Sequence, residues 1–218
     1  FQDQVDNVAQ LPVQSFHNHV VKVINTTSDK DTYFAKFVAD DGVSGTGFWE
    51  ETLDPSKSPG LDASTMPHEL VNTALNQFTF RQFTWDPRTV GDDTTNSHPS
   101  FVGHKIQQAF FHNNRLGFLS NDNVSMSQSA KYFNFYHTSA QIITDADPID
   151  ISSSTIRPAN LHAIVPTTQG LVLFSKSQQF LLRSADRVLT PSTTTITPIS
   201  NYDVDENIDP VDMGTNIN

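Results

Sequence analysis

The segment RLGFLS at Arg115–Ser120 recurs about 55 residues later as LVLFS at Leu171–Ser175. Each copy lies within a longer unit, residues 106–127 and 161–182, in which short apolar runs alternate with polar turns. Such runs predict antiparallel up-and-down meanders. A repeat of about 40–55 residues that carries several strands is typical of β-propeller blades, so we predict two blade-like repeats. A pair of meanders in a β-sandwich is the alternative.

Strand signals also precede the repeats. The segments 19–24, 33–38 and 46–52 are rich in β-branched and aromatic residues, and polar turns at 25–29 and 40–42 separate them. This alternation predicts three antiparallel strands. Helical periodicity is scarce throughout the chain, so we predict a mainly β fold.

The domain organisation follows from composition. Residues 53–65 form a linker rich in Pro, Gly and Ser, which places a boundary near residue 63. We therefore expect a small antiparallel β meander at 1–63 and a β-propeller-like segment at 64–218. A second irregular stretch, 86–100, is too long for a simple turn and is predicted to be an ordered loop.

The overall composition excludes several classes of protein. The chain has no cysteine, so it has no disulfide framework, thiolate zinc site or cysteine nucleophile. No stretch approaches the roughly 20 apolar residues of a membrane span. The net charge of −11 argues against binding in the grooves of DNA, because such binding needs a basic surface.

The acidic stretch Asp145-Ala146-Asp147-Pro148-Ile149-Asp150 allows three interpretations. Alternating Asp residues can bind calcium, but the stretch lacks the glycine and the distal glutamate of a calcium loop. A carboxylate pair can hydrolyse glycosidic bonds, but neighbours on one loop rarely flank a substrate. We favour a turn in which the Asp side chains accept bonds from nearby backbone N–H groups.

Other candidate residues have structural explanations. His17 and His19 lie on one side of a predicted strand, but no third metal ligand is evident. Arg88 and Arg115 lie among turn residues and are expected to bond loop carbonyls. The sequence therefore indicates no catalytic, cofactor-binding or metal-binding residues.

Two aromatic rows alternate at a period of two. One comprises Phe78, Phe80, Phe83 and Trp85, and the other lies within Tyr132–Tyr136. Such rows can stack on bases or sugars, but we expect buried strand faces, since these use aromatic residues more often.

From residue 48 onward, ten short motifs follow one another in the order found in a known family. The chain resembles the tail tubular protein B family, the nozzle proteins of short-tailed bacteriophages. The resemblance depends on Phe48-Trp49-Glu50-Glu51-Thr52, Thr65-Met66-Pro67-His68-Glu69-Leu70, Phe83-Thr84-Trp85, Arg88-Thr89-Val90-Gly91-Asp92, Pro99-Ser100-Phe101-Val102-Gly103, Asn114-Arg115-Leu116-Gly117-Phe118-Leu119-Ser120, Asn123-Val124, Tyr132-Phe133-Asn134-Phe135, the Asp145–Asp150 stretch and Leu189-Thr190-Pro191. One departure is Asn96-Ser97-His98-Pro99, where the family usually has Asn-Pro.

The resemblance implies a structural, non-enzymatic protein in the tail of the virion. It implies a propeller-like domain, a hexameric ring next to tail adaptor proteins and tail fibres, and a channel through which double-stranded DNA passes without specific binding. It implies no cofactor. Family members are longer and this chain begins with Phe1, so we expect an internal fragment that is monomeric by itself. The rival hypothesis is a tail module that binds or hydrolyses polysaccharide, based on Asp145–Asp150 and the aromatic rows.

Overall fold

A computed structural model describes residues 3–24, 32–153, 159–186 and 188–211. These residues form β-sheets and one short 3-10 helix, Val8–Gln10, with no α-helix among them, so the mainly β prediction is confirmed. The chain divides into two compact units. Unit 1 comprises Phe1–Ser97 and His137–Ile143, and unit 2 comprises His98–Tyr136 and Thr144–Asn218. The expected boundary near residue 63 lies within unit 1, and a division of the full-length protein at that point stays a prediction.

Unit 1 is built on a five-stranded sheet, which we call the N-terminal sheet. Its strands are β1 (Gln4–Val5), β2 (Gln14–Phe16), β3 (Val20–Val23), β4 (Tyr33–Ala39) and β5 (Ser44–Thr52), in the order β1-β3-β4-β5-β2. The predicted strands correspond to β3, β4 and β5, while the predicted turn at 25–29 falls outside the described residues. The strands β1 and β2 were missed because two or three residues are too few for periodicity to show.

One face of the N-terminal sheet packs into a small core. Val5, Val21, Val23 and Ala35 are buried there, and Trp49 packs against them. The Trp49 indole also donates a hydrogen bond to the Pro12 carbonyl at 2.9 Å, so its polar atom is satisfied. The opposite face of the sheet carries the alternate side chains.

Unit 1 also contains a separate two-stranded antiparallel hairpin. Its strands are β6 (His68–Ala74) and β7 (Gln77–Gln82). We call this hairpin the ribbon. Among the strands of the described residues, β6 and β7 pack substantially only on each other.

Unit 2 holds two four-stranded antiparallel sheets with consecutive strand order. The first contains β8 (Gln108–His112), β9 (Arg115–Ser120), β10 (Asn123–Met126) and β11 (Ile149–Ser152). The second contains β12 (Leu161–Thr167), β13 (Gly170–Ser175), β14 (Gln179–Ser184) and β15 (Thr194–Ser200).

Both predicted repeats correspond to meanders. RLGFLS and LVLFS form β9 and β13, the second strand of each sheet, and each sheet gains a fourth strand from beyond the predicted repeat. A four-stranded antiparallel meander is the architecture of a propeller blade. A closed propeller needs more blades than these two, so closure stays a prediction.

The two sheets of unit 2 share one apolar core. Leu119 and Met126 of the first sheet and Leu173 and Phe180 of the second are fully buried in it. The other face of the second sheet buries a further cluster that includes Val172. Burial on both faces explains why its strands read as continuous apolar runs. Its two edge strands, β12 and β15, contain Pro166 and Pro198.

The second aromatic row is buried, but not as a strand. Phe135 and Tyr136 are almost inaccessible, yet residues 132–136 form an irregular segment. The Asn134 side chain holds this segment in place. Its Nδ2 donates to the Gln128 Oε1 at 2.7 Å, and its Oδ1 accepts the Tyr136 backbone N–H at 3.0 Å. The predicted strand was wrong because these local side-chain bonds replace a ladder, whereas the predicted burial of Phe135 and Tyr136 is confirmed.

Candidate assembly surface

The ribbon has one apolar face, and that face is exposed. In the strand register, Leu70 lies opposite Phe80 and Asn72 lies opposite Phe78. Leu70, Phe78 and Phe80 are 65%, 61% and 70% exposed. We call these three residues the ribbon face. His68 stacks on Phe80, with ring centroids 5.1 Å apart and planes inclined by 16°.

The opposite face of the ribbon is mostly polar, and Val71 is its apolar residue. Glu69 and Arg81 are cross-strand neighbours there, and the Arg81 Nε donates to the Glu69 carboxylate at 2.6 Å. The turn places Asn76 at a φ of 59°, a left-handed conformation that Asn tolerates well. Leu75, at the tip, is 90% exposed. The ribbon is therefore amphipathic, with its apolar face towards solvent.

This exposure overturns part of the core prediction for the first aromatic row. Trp85 is buried, as expected, and Phe83 is half-buried, but Phe78 and Phe80 are exposed. The alternation correctly indicated a strand face, but a two-stranded ribbon has no second layer to cover that face. The strand β6 was not predicted, although Asn76 between two runs of strand-forming residues is a hairpin signal.

A second exposed apolar patch lies on the outer face of the N-terminal sheet. Phe16 pairs with Ser44, and Phe48 lies four residues further along β5, so both phenylalanines point to the same side. They are 55% and 56% exposed. On the same face, the Lys36 ammonium and the Glu50 carboxylate form an ion pair at 2.9 Å. We call Phe16 and Phe48 the sheet patch.

His17 and His19 do not face one another as metal ligands. The His17 Nδ1 accepts the Ala39 N–H at 3.3 Å, and the His19 Nδ1 lies 2.6 Å from the Ser15 hydroxyl. The His19 ring also packs edge-on against Trp49. Within the described ranges, no group of three or more His, Cys, Asp or Glu residues could hold a metal ion.

Arg88 organises the long irregular loop, as predicted. Its buried guanidinium donates to the Asn96 and Ser58 carbonyls, both at 2.9 Å, and to the Asp93 carboxylate at 3.0 Å. Bonds from Lys57 and then from Arg88 hold the pKa of Asp93 below its usual value. The loop is thus an ordered element tied to the linker.

Arg115 has the same role in unit 2. Its buried guanidinium donates to the Ser127 and Asp147 carbonyls, both at 2.7 Å, and to the Asp145 carbonyl at 2.9 Å. It also donates to the Leu189 carbonyl at 3.3 Å, so it ties together three separate segments. Burial lowers the pKa of Arg115, and the charge of Asp147 opposes that shift. The predicted structural clamp is confirmed for both arginines.

The bacteriophage nozzle protein family matches residues 1–218, the whole chain. This chain belongs to the bacteriophage nozzle protein family. It is 37% identical over 210 residues to the tail tubular protein gp12 of Escherichia phage T7. That alignment covers 96% of the chain and 26% of the relative, so the chain spans about a quarter of the relative's length.

Membership of the nozzle family confirms the resemblance read from the motifs. It identifies the chain as part of a structural protein of the phage tail, located in the virion. No helix in the described ranges is long and apolar enough to cross a membrane.

The Asp145–Asp150 stretch serves the framework of this nozzle-family chain. The buried Asp147 carboxylate accepts the Thr144 N–H at 2.7 Å. Asp150 accepts the Ser100 N–H at 2.7 Å and the Ser125 hydroxyl at 2.9 Å. The Thr144 bond confirms the predicted turn for Asp147, whereas Asp150 lies in β11 and bonds Ser100 and Ser125, which are distant in sequence. Both carboxylates hold the framework together, and this gives the polysaccharide-hydrolase alternative no support.

A shallow hollow of about 420 Å³ lies beside this stretch. Asp145 is the one carboxylate in its lining, and the Arg115 guanidinium beside it is occupied by carbonyls. A second hollow of about 370 Å³, which His112 and Asp186 line, also contains a single carboxylate. Neither hollow brings together the two carboxylates that glycoside hydrolysis requires.

Proposed function

We propose that this chain forms part of the wall of the phage nozzle, and that six copies surround a channel through which double-stranded DNA leaves the virion. The observation that carries the proposal is the match to the nozzle family along the whole chain. The β architecture supports it, because backbone-paired sheets, with loops held by buried arginines, give a stiff wall with ordered loops.

The distribution of charge supports passage of DNA without binding. The chain has 24 acidic residues and 13 lysines and arginines. Arg88 and Arg115 are both buried and bonded to carbonyls, so these two cations do not reach the surface. Because DNA affinity depends on cations that neutralise phosphates, such a surface favours passage of the DNA over binding to it.

We place the neighbouring tail adaptor proteins and tail fibres next to this ring in the assembled tail, and we assign the chain no catalytic activity. The internal use of Asp147 and Asp150 supports a framework role for the loop that was the strongest catalytic candidate.

A density map of the intact virion tail tests the position. We expect this segment in the wall of the DNA conduit, in six symmetric copies. A position outside the conduit, such as on a fibre, would contradict the proposal.

Two solution assays test the absence of binding and catalysis. The full-length protein and a linear DNA duplex are expected to migrate independently in a gel at low ionic strength. Retardation of the duplex that disappears at higher salt would contradict passage without binding.

Incubation of the protein with host capsular polysaccharide is expected to release no reducing ends. Release that Asp145→Asn abolishes would favour the enzyme instead.

A further inference from the structure

The ribbon face is an apolar surface that the described residues of unit 1 leave exposed. We infer that it docks on the sheet patch of a second copy of this chain, so that successive copies join head to tail. This inference rests on the proposed ring and specifies where its subunits meet.

The size of the exposed surface favours a protein partner. Aromatic side chains present about 150–250 Å² each, so two largely exposed rings with Leu70 offer on the order of 300 Å². That is more than a third of the ~800 Å² that each partner contributes to a standard interface. A two-stranded hairpin is also marginally stable by itself and gains order when its apolar face is covered.

The sheet patch has the chemistry of an acceptor. Phe16 and Phe48 supply exposed apolar area, and the Lys36–Glu50 ion pair lies on the same face. An apolar centre beside paired charges is the usual composition of a protein interface. The ribbon offers matching chemistry, since Leu70, Phe78 and Phe80 are uncharged and Glu69 and Arg81 neutralise each other on its opposite face.

Two different patches on one unit point to a second copy as the partner. A closed ring requires a heterologous contact, in which one surface of each subunit meets a different surface of the next. Unit 1 carries both the ribbon face and the sheet patch. The low charge of both patches also matters because copies with a net charge of −11 repel one another wherever acidic residues meet.

The full-length protein and three double variants test this inference. The ribbon variant is Phe78→Ser with Phe80→Ser, and the sheet variant is Phe16→Ser with Phe48→Ser. The control is Ile142→Ser with Ile143→Ser, which removes two similarly exposed apolar side chains of unit 1 outside both patches. Light scattering and native mass spectrometry measure the assembly, and thermal unfolding measures the stability of each variant.

We expect rings from the wild type and the control, and monomers from the ribbon variant and the sheet variant. Mixing these two monomeric variants is expected to give a one-to-one dimer, because an intact ribbon face then meets an intact sheet patch at one junction.

Rings from either variant would overturn the inference, as would a mixture that remains monomeric. A ribbon variant whose monomer unfolds at a lower temperature than the sheet variant would also overturn it, since the face would then pack within its own chain. A wild-type protein that forms no ring would instead contradict the proposed function on which the inference rests.

Discussion

The ribbon and the sheet formed by β12–β15 use similar strand-forming residues, but they bury them to opposite extents. Leu173 and Phe180 in the sheet are fully inaccessible, whereas Phe78 and Phe80 in the ribbon are exposed. The sheet lies between two apolar clusters, while the ribbon consists of two strands that pack mainly on each other. Alternation therefore defines a strand face, and the surrounding chain or a partner decides whether that face is covered.

The largest difference in the free energy of unfolding is expected between the replacement of a buried arginine and that of an exposed one. Arg115→Met should lower the free energy of unfolding of unit 2 by about 3–5 kcal/mol, because several buried carbonyls lose their donor and each unsatisfied group costs roughly 1–3 kcal/mol. Arg81→Met removes an exposed ion pair of the ribbon and should cost less than about 1 kcal/mol. Hydrogen exchange of the full-length protein measures both, and similar costs would contradict the assigned clamp.

A leucine truncated in each region gives the next contrast. Leu173→Ala should destabilise unit 2 by about 2–5 kcal/mol through lost burial and a cavity. Leu70→Ala should change the stability of the unassembled subunit by no more than about 0.5 kcal/mol. Amide exchange of β13 and β6 at low protein concentration reports both values. A large cost at Leu70 in the monomer would mean that its own chain covers the ribbon face.

The close packing of the sheet β12–β15 can also be tested by adding a Cβ atom at a glycine. Gly170 has a φ of 141°, and a Cβ there would collide with the Leu182 carbonyl oxygen. We expect Gly170→Ala to destabilise the β12–β13 turn by about 1–3 kcal/mol. Gly60→Ala in the linker meets nothing within 4 Å and serves as the control. Urea midpoints of the two variants compare them, and equal midpoints would contradict the described packing.

The smallest effect on stability is expected when acid protonates Asp92 in the loop that Arg88 holds. Burial raises the pKa of Asp92, but bonds from Thr95 and Thr94 outweigh it, so the net pKa lies below the ordinary 3.8. The ionised carboxylate therefore stabilises the fold above pH 3.8, and that stabilisation is lost as pH falls through the lower folded pKa. Exchange rates of the loop amides should rise below about pH 4, and Asp92→Asn should weaken this dependence. An unchanged pH dependence in the variant would exclude Asp92 as its source.

The sequence was informative where local chemistry determines structure. The meanders follow from short apolar runs and polar turns, and both arginine clamps follow from cations placed among turn residues. The fourth strands were not predictable in the same way. Ile149–Ser152 pairs with β10 across more than 20 intervening residues, and no local pattern indicates such a pairing.

The candidate surface was only half predictable. The period of two identified Phe78 and Phe80 as neighbours on one face, but it favoured a core for them because burial depends on residues distant in sequence. Similarly, Tyr132–Tyr136 has strand-like composition, yet Asn134 draws the backbone into local bonds. Side chains that compete for backbone groups and layers supplied by distant segments or other copies limit what one sequence reveals.

Pro166 and Pro198 have a consequence for contacts with other molecules. An exposed edge strand can form backbone hydrogen bonds with a strand of another molecule. A proline in the edge strand lacks the N–H that such pairing would use. The second sheet of unit 2 carries such a residue on each margin. These two edges are therefore poor templates for backbone pairing with a strand of another molecule, including a second copy of this chain.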